Sequence, residues 1–214
     1  MKEDPAIRAI LVKTREVVEI FKKPVDHYAH RADIMRLEVL MEYGGIYLDI
    51  DVLTLRSFDP LLNLSDVVMA HESDMEQSAC NAVILAKKKS AFLRRWYEAY
   101  QSFNQSCWGC HSILLPGELA SIYPEEVTIL PTYTFFRPSW NETKLFHESN
   151  DFNFSLNYAT HLWNKVSYPY LEQLTPDIAV ALNTTLGQMI RQAVGNSTLY
   201  KLKQMFLSNP SDWF

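Results

Sequence analysis

No stretch of the chain approaches the roughly 20 consecutive apolar residues that cross a bilayer, so no segment reads as a membrane span. There is no basic stripe either. Twenty Lys and Arg stand against 25 Asp and Glu, for a net charge of −5, and that sign gives no electrostatic reason to bind nucleic acid. The one basic run, Lys87-Lys88-Lys89, reads as a solvated turn ahead of a helix. Cysteine is scarce, with only Cys80, Cys107 and Cys110. The last two have C-x-x-C spacing, but a zinc site needs a second pair. A local disulfide or two buried thiols is the expectation. Internal repeats, low-complexity segments and long linkers are all missing. The segment from Met1 to Lys23 is amphipathic and mixed in charge, unlike a signal peptide, so the chain carries no address of its own.

What is present suits a packed core. Hydrophobic residues make up 48% of the 214 and charged residues 21%, which excludes a disordered chain. One domain is expected over 1–214, with its core at about 27–175 and a helical lobe at about 175–214. Six of the eleven asparagines stand in N-x-Ser/Thr sequons, at Asn63, Asn104, Asn141, Asn153, Asn183 and Asn196. Chance supplies about one or two at ordinary Ser and Thr usage. The excess points to the lumen of the secretory pathway, with some of these sites expected in buried elements.

Apolar spacing predicts a helix over Pro5–Phe21, carried by Ile7, Ile10, Leu11, Val18 and Phe21 and broken by Pro24. A second helix is predicted over Ala32–Tyr43, with Ile34, Leu37, Leu40 and Met41 on one face and Gly44-Gly45 ending it. Short apolar runs at Ile46–Leu48, Val67–Ala70, Ala82–Ala86, Val127–Leu130 and Tyr158–Trp163 read as strands. Ser90 caps a helix with an apolar stripe of Phe92, Leu93, Trp96, Tyr97 and Tyr100. From Thr175 onward the pattern is helical. Helices alternating with short buried strands indicate an α/β sheet protein.

The segment that carries chemistry is His30-Arg-Ala-Asp33-Ile-Met-Arg36, followed by Tyr43-Gly-Gly45-Ile-Tyr47-Leu-Asp49-Ile-Asp51. Asp33 and Arg36 lie three apart, on one helix face. The strand then delivers two carboxylates at its C-terminal end, where open α/β sheets place their ligand crevices. On a regular strand Asp49 and Asp51 would point to opposite sides. They can share a cation only if the chain turns between them, and it is predicted to do so. Hard cations such as Mn²⁺ or Mg²⁺ take oxygen ligands from one or two carboxylates plus substrate phosphates.

A D-x-D pair alone is weak evidence. The run A-D-x-x-R with GGIYLDID following it is far more specific, and it resembles the sugar-binding region of the DxD-containing glycosyltransferases of family 32. Asn81–Ala86 looks like that family's acceptor-side segment, and Tyr158–Asn164 is similar to its late H-x-W element. The resemblance covers roughly 27–175. It implies a GT-A-like fold and transfer of a hexose, with retention, from a UDP- or GDP-sugar to a glycan or glycolipid. It also implies Mn²⁺ or Mg²⁺ and a Golgi or other lumenal location. Carried over, Asp33 and Arg36 would contact the donor, with Gly45 and Tyr47 beside it. Asp51 would ligate the metal directly, and Asp49 through water, ribose or sugar. His161 would complete the metal shell and Trp163 would close over the donor. Family members begin with a membrane anchor and an apolar strand. Here about thirty helical-looking residues precede Asp33, so the first strand or two are expected to be absent, with any anchor expected upstream.

Plainer readings compete at each position. Asp33 and Arg36 could form a surface ion pair worth ~0.3–0.5 kcal/mol. His161 and Trp163 could be core residues, and Tyr47 a packing residue. Asn81 could cap a strand, and His71, Glu72 and Asp74 could be acceptor-side or merely loop. A haloacid-dehalogenase-type phosphatase also places D-x-D after an apolar strand, but Leu53 stands where that family has Thr or Val. A catalytically inert module with the same fold is the third alternative.

Overall fold

A computed structural model describes residues 11–75 and 77–208. Its first elements correct the sequence reading. Residues 11–18 form neither helix nor strand, and they lead into a hairpin of β1 (Glu19–Ile20) and β2 (Lys23–Pro24). The rest of the expected Pro5–Phe21 helix, with Ile7 and Ile10, lies outside the described residues. The hairpin turns at Phe21 and Lys22, whose φ angles are 47° and 64°, as two-residue loops between paired strands require. The apolar positions that suggested a helix are not the buried ones. Leu11 is 99% exposed and Val18 50%, whereas Val17, Ile20 and Val25 are buried.

Helix α1 (Tyr28–Tyr43) begins a turn earlier than expected. The His27 ring caps it, accepting a hydrogen bond from the Ala29 amide at 3.1 Å. That role usually falls to Ser, Asp or Asn. Ile34, Leu37 and Leu40 are buried, as the periodicity predicted. Gly44 ends the helix at φ 67° and donates its N–H to Leu40 O. A Cβ there would stand 2.6 Å from Lys88 N, so both conformation and space demand glycine.

The chain then lays down β3 (Gly45–Leu48), β4 (Val52–Thr54), β5 (Val67–Ala70), β6 (Cys80–Ala86) and, after two helices, β7 (Val127–Leu130). The main sheet has the order β3-β6-β5-β7. Strand β6 runs antiparallel to both β3 and β5, while β5 and β7 are parallel. Hence β3, β5 and β7 all point the same way, and their C-terminal ends share one edge. Every residue of β5 and β6 is buried, which explains their unbroken apolar runs. Val67, Met69, Ile84 and Ala86 pack on one face with α1 and α2 (Ala91–Ala99). Val68, Ala70, Val83 and Leu85 pack on the other with Phe135 and Phe136. Ser90 caps α2 as predicted, and Phe92, Leu93, Trp96 and Tyr100 are buried beneath it. Lys87, Lys88 and Lys89 form the expected exposed turn.

A π-helical turn over Cys110–Leu114 leads into α3 (Leu115–Ile122). Cys107 and Cys110 are joined in a disulfide, and Cys80 is buried and free. Beyond α4 (Lys144–His147), strand β8 (Ala159–His161) pairs antiparallel with β4, setting Val52 opposite His161. Four helices follow: α5 (Asn164–Leu171), α6 (Pro176–Ala181), α7 (Thr185–Val194) and α8 (Asn196–Ser208). Leu186, Met189, Ile190 and Leu199 from these helices close over Leu55 and Phe146 in a third cluster. The architecture is a mixed sheet flanked by helices. No described helix is long and apolar enough to cross a membrane.

Candidate active site

At the C-terminal edge of β3 and β5 lies a cavity of about 530 Å³. Asp33, Arg36, Asp49, Asp51, His161 and Trp163 all line it. Strand β3 ends at Leu48 and β4 begins at Val52, and between them the Val52 amide donates to Asp49 O at 3.0 Å. That turn leaves the Ile50 side chain fully in solvent and brings its two acidic neighbours round to the same side. One ligand atom each from Asp49, Asp51 and His161 lies within 4.8 Å of the others. The pairing of β4 with β8 supplies the histidine.

Each carboxylate is held. Asp51 Oδ1 lies 3.1 Å from His161 Nε2, and Asp51 Oδ2 accepts the Asn164 amide at 2.8 Å. Burial opposes ionisation of Asp51, but the His161 contact and that amide outweigh it and hold its carboxyl below the usual range. Asp49 Oδ1 accepts the Tyr47 hydroxyl at 2.7 Å and lies 3.0 Å from Arg36 Nη1. Burial pushes the Tyr47 hydroxyl far above its ordinary pKa, so it stays a donor.

Arg36 is 4% exposed. Its guanidinium donates to Asn81 O at 2.7 Å and to Ala32 O at 3.2 Å, and lies 3.2 Å from Asp33 Oδ1 and 4.4 Å above the Tyr47 ring. Desolvation works against its charge, and Asp33 and Asp49 more than compensate, raising its pKa. Asp33 in turn accepts from Asn81 Nδ2 at 2.7 Å. The pair is therefore no surface ion pair. It is part of a buried network that ties α1 to β3 and β6.

Gly45 stands apart from this cluster. It opens β3 opposite Ala86, at the end of the strand remote from Asp49, and does not line the cavity. Its φ of 108° serves the turn out of α1. Tyr47 acts from beneath, through Asp49 and Arg36. Trp163 does reach the cavity: its ring lies 4.2 Å from that of His161, and its Nε1 donates to Pro138 O at 2.9 Å.

Sequence reasoning missed Trp108 and Trp140, which line the same cavity and are 57% and 52% exposed. Trp108 sits inside the C-x-x-C loop, which the disulfide closes, and its ring stacks edgewise on His27. An exposed tryptophan within that motif was the signal available. Glu72, read as loop, is also on the cavity wall.

Residues 2–73 match the glycosyltransferase sugar-binding region containing the DXD motif. The chain is also 36% identical over 196 residues to glucan organizing enzyme 1 of Cryptococcus neoformans var. grubii, covering 86% of this chain and 54% of that one. The chain thus carries the sugar-binding region of the DXD-containing glycosyltransferases. It is 28% identical over 183 residues to the lactosylceramide 4-alpha-galactosyltransferase of Mus musculus, covering 77% of this chain and 48% of the relative. It is 23% identical over 152 residues to the alpha-1,4-N-acetylglucosaminyltransferase of Homo sapiens, covering 64% and 43%. The chain spans about half the length of the curated relatives it matches. The matched region and these relatives favour the glycosyltransferase reading over the phosphatase alternative.

Proposed function

We propose that this chain is the catalytic core of a metal-dependent, retaining hexosyltransferase with a GT-A-like fold, moving a sugar from UDP or GDP to a glycan or glycolipid. The observation that carries this reading is the convergence of Asp49, Asp51 and His161 beside the buried Arg36. Two carboxylates and an imidazole suit a divalent cation such as Mn²⁺ or Mg²⁺. Among the described residues the buried His161 Nδ1 has no hydrogen-bond partner, so hydrogen bonding within them does not satisfy the ring. Bound there, a cation would neutralise charge on the departing diphosphate.

In this reading the chain's own residues do the rest. Arg36 presents positive charge to the diphosphate from a position that Asp33 and Asn81 fix. Tyr47 orients the Asp49 carboxylate. Trp108, Trp140 and Trp163 wall the cavity, exclude water and offer faces for a sugar ring to stack on. The leaving diphosphate helps deprotonate the acceptor on the same face of the sugar.

A second cavity of about 550 Å³ supports a place for the acceptor. The segment His71–Asp74 forms part of the wall of both cavities: Glu72 lines the first, and His71, Ser73 and Asp74 the second. Tyr133 offers an apolar face there, and Asn153 and Asn157 offer amides, a mixture that suits sugar hydroxyls.

The single-domain reading is supported by Leu55, which packs into the C-terminal helical cluster directly after β4. A Golgi or other secretory location is supported by the disulfide, which persists in oxidising compartments. It is supported too by the sequons. All six sequon asparagines are exposed, against the expectation that some would be buried. The test is a panel of UDP-galactose, UDP-glucose, UDP-N-acetylglucosamine and GDP-mannose with Mn²⁺, scoring release of nucleoside diphosphate. Metal-dependent release from one donor supports the reading. No binding and no release from any of them supports the inert module.

A further inference from the structure

Four carboxylates line the donor cavity: Asp33, Asp49, Asp51 and Glu72. Three are committed to partners. Asp33 and Asp49 pair with Arg36, and Asp51 pairs with His161. Among the described residues Glu72 has no ion pair within 4.0 Å, although it lies within electrostatic reach of His161. Its place in the fold is informative. Strands β3 and β5 point the same way, with β6 between them. Asp49 follows the end of β3 and Glu72 the end of β5. Two interstrand spacings therefore separate their backbones by roughly 10 Å at the same sheet edge. Asp49 stands on one side of that gap and the half-buried Glu72 on the other, both on the wall of one cavity.

We propose that Glu72 is a catalytic carboxylate that faces the donor sugar across the cavity from Asp49 and stabilises the positive charge developing at the anomeric carbon. The inference rests on the donor-site reading above. As the bond from the anomeric carbon to the diphosphate oxygen breaks, its electron pair leaves with the diphosphate, and the sugar becomes oxocarbenium-like. A fixed anion on the opposite face lowers the energy of that state more than that of the neutral ground state. The acceptor oxygen then forms its bond to the same carbon, and its proton passes to the departing diphosphate. The charge of Glu72 is felt at Cys80 on β6, and that of His161 on β8 is felt at Glu72. Glu72 is half-buried on the cavity wall, so its charge is less screened than at the open surface.

The experiment compares the full chain with Glu72→Gln, a near-isosteric change at a position that carries no ion pair. Calorimetry with Mn²⁺ and UDP or GDP reads donor-site binding. Turnover of the four nucleotide sugars named above, with water or lactose as acceptor, reads the chemistry. The expected result is binding within about twofold of the parent with turnover lowered about 10²–10³-fold, as removal of a transition-state charge partner does. Turnover within about threefold of the parent overturns the proposal, and so does loss of binding together with turnover, which would make Glu72 a binding or folding residue. If the parent chain itself neither binds nor turns over any donor, the donor-site reading falls and this inference falls with it.

Discussion

Asp51 Oδ1 and His161 Nε2 stand 3.1 Å apart although 110 residues of chain separate them. The pairing of β4 with β8 makes that meeting possible, since Val52 and His161 are register partners. With the proposed cation bound, this contact would give way to shared coordination. Adding Mn²⁺ is therefore expected to raise the melting temperature, by about 2.7 kcal/mol of stability at a hundredfold excess over Kd. Asp51→Ala should abolish that rise. A Mn²⁺-dependent shift that survives in Asp51→Ala would place the cation elsewhere.

Arg36 neutralises two carboxylates from a buried position. Arg36→Met removes one partner and strands the others, which costs about 3–5 kcal/mol. Urea denaturation checks this. A loss under 1 kcal/mol would return the group to the status of a surface pair.

The Tyr47 hydroxyl bonds Asp49 Oδ1 at 2.7 Å. Tyr47→Phe should cost only about 0.5–1.5 kcal/mol of stability. Its larger effect should be on metal affinity, weakened about 10–100-fold as when other supporting partners of a ligand are removed. Calorimetric titration of Mn²⁺ into both proteins separates the two effects.

His30 is 3% exposed, and its Nδ1 lies 3.4 Å from Asp33 Oδ2. The hydrogen bond to Asp33 raises its pKa above the ordinary 6.5, against the opposing effect of burial. A raised folded-state pKa means that the protonated ring stabilises the fold. That contribution is full below pH 6.5 and is lost as pH rises through the folded-state value. The melting temperature of the parent should fall relative to that of His30→Gln between pH 6 and pH 8. An unchanged difference would show that His30 does not titrate in this window.

Much of this was readable in the sequence where local chemistry decides the outcome. Gly44 had to end α1, the unbroken apolar runs of β5 and β6 had to be buried strands, and two acids straddling Ile50 called for a turn. Other features depended on distant partners. Asn81 and Asp49 convert Asp33 and Arg36 from a plausible helix-surface pair into a buried network, and neither is visible from the i, i+3 spacing. The Pro5–Phe21 helix that the spacing predicts is absent over 11–18 and gives way to β1, because Leu11 and Val18 fall at helical spacing yet face solvent. Trp108 and Trp140 reach the cavity from loops, where no periodicity marks a side chain's direction.

The central claim is that Asp49, Asp51 and His161 hold one divalent cation against a sugar diphosphate. Anomalous diffraction from crystals of the chain grown with Mn²⁺ and UDP tests it most directly. The account predicts a single strong peak roughly 2.0–2.3 Å from Asp51 and a diphosphate oxygen, beside Arg36 and in reach of His161. A peak bound elsewhere, or diphosphate seated in the cavity with no metal between it and Asp51, would contradict it.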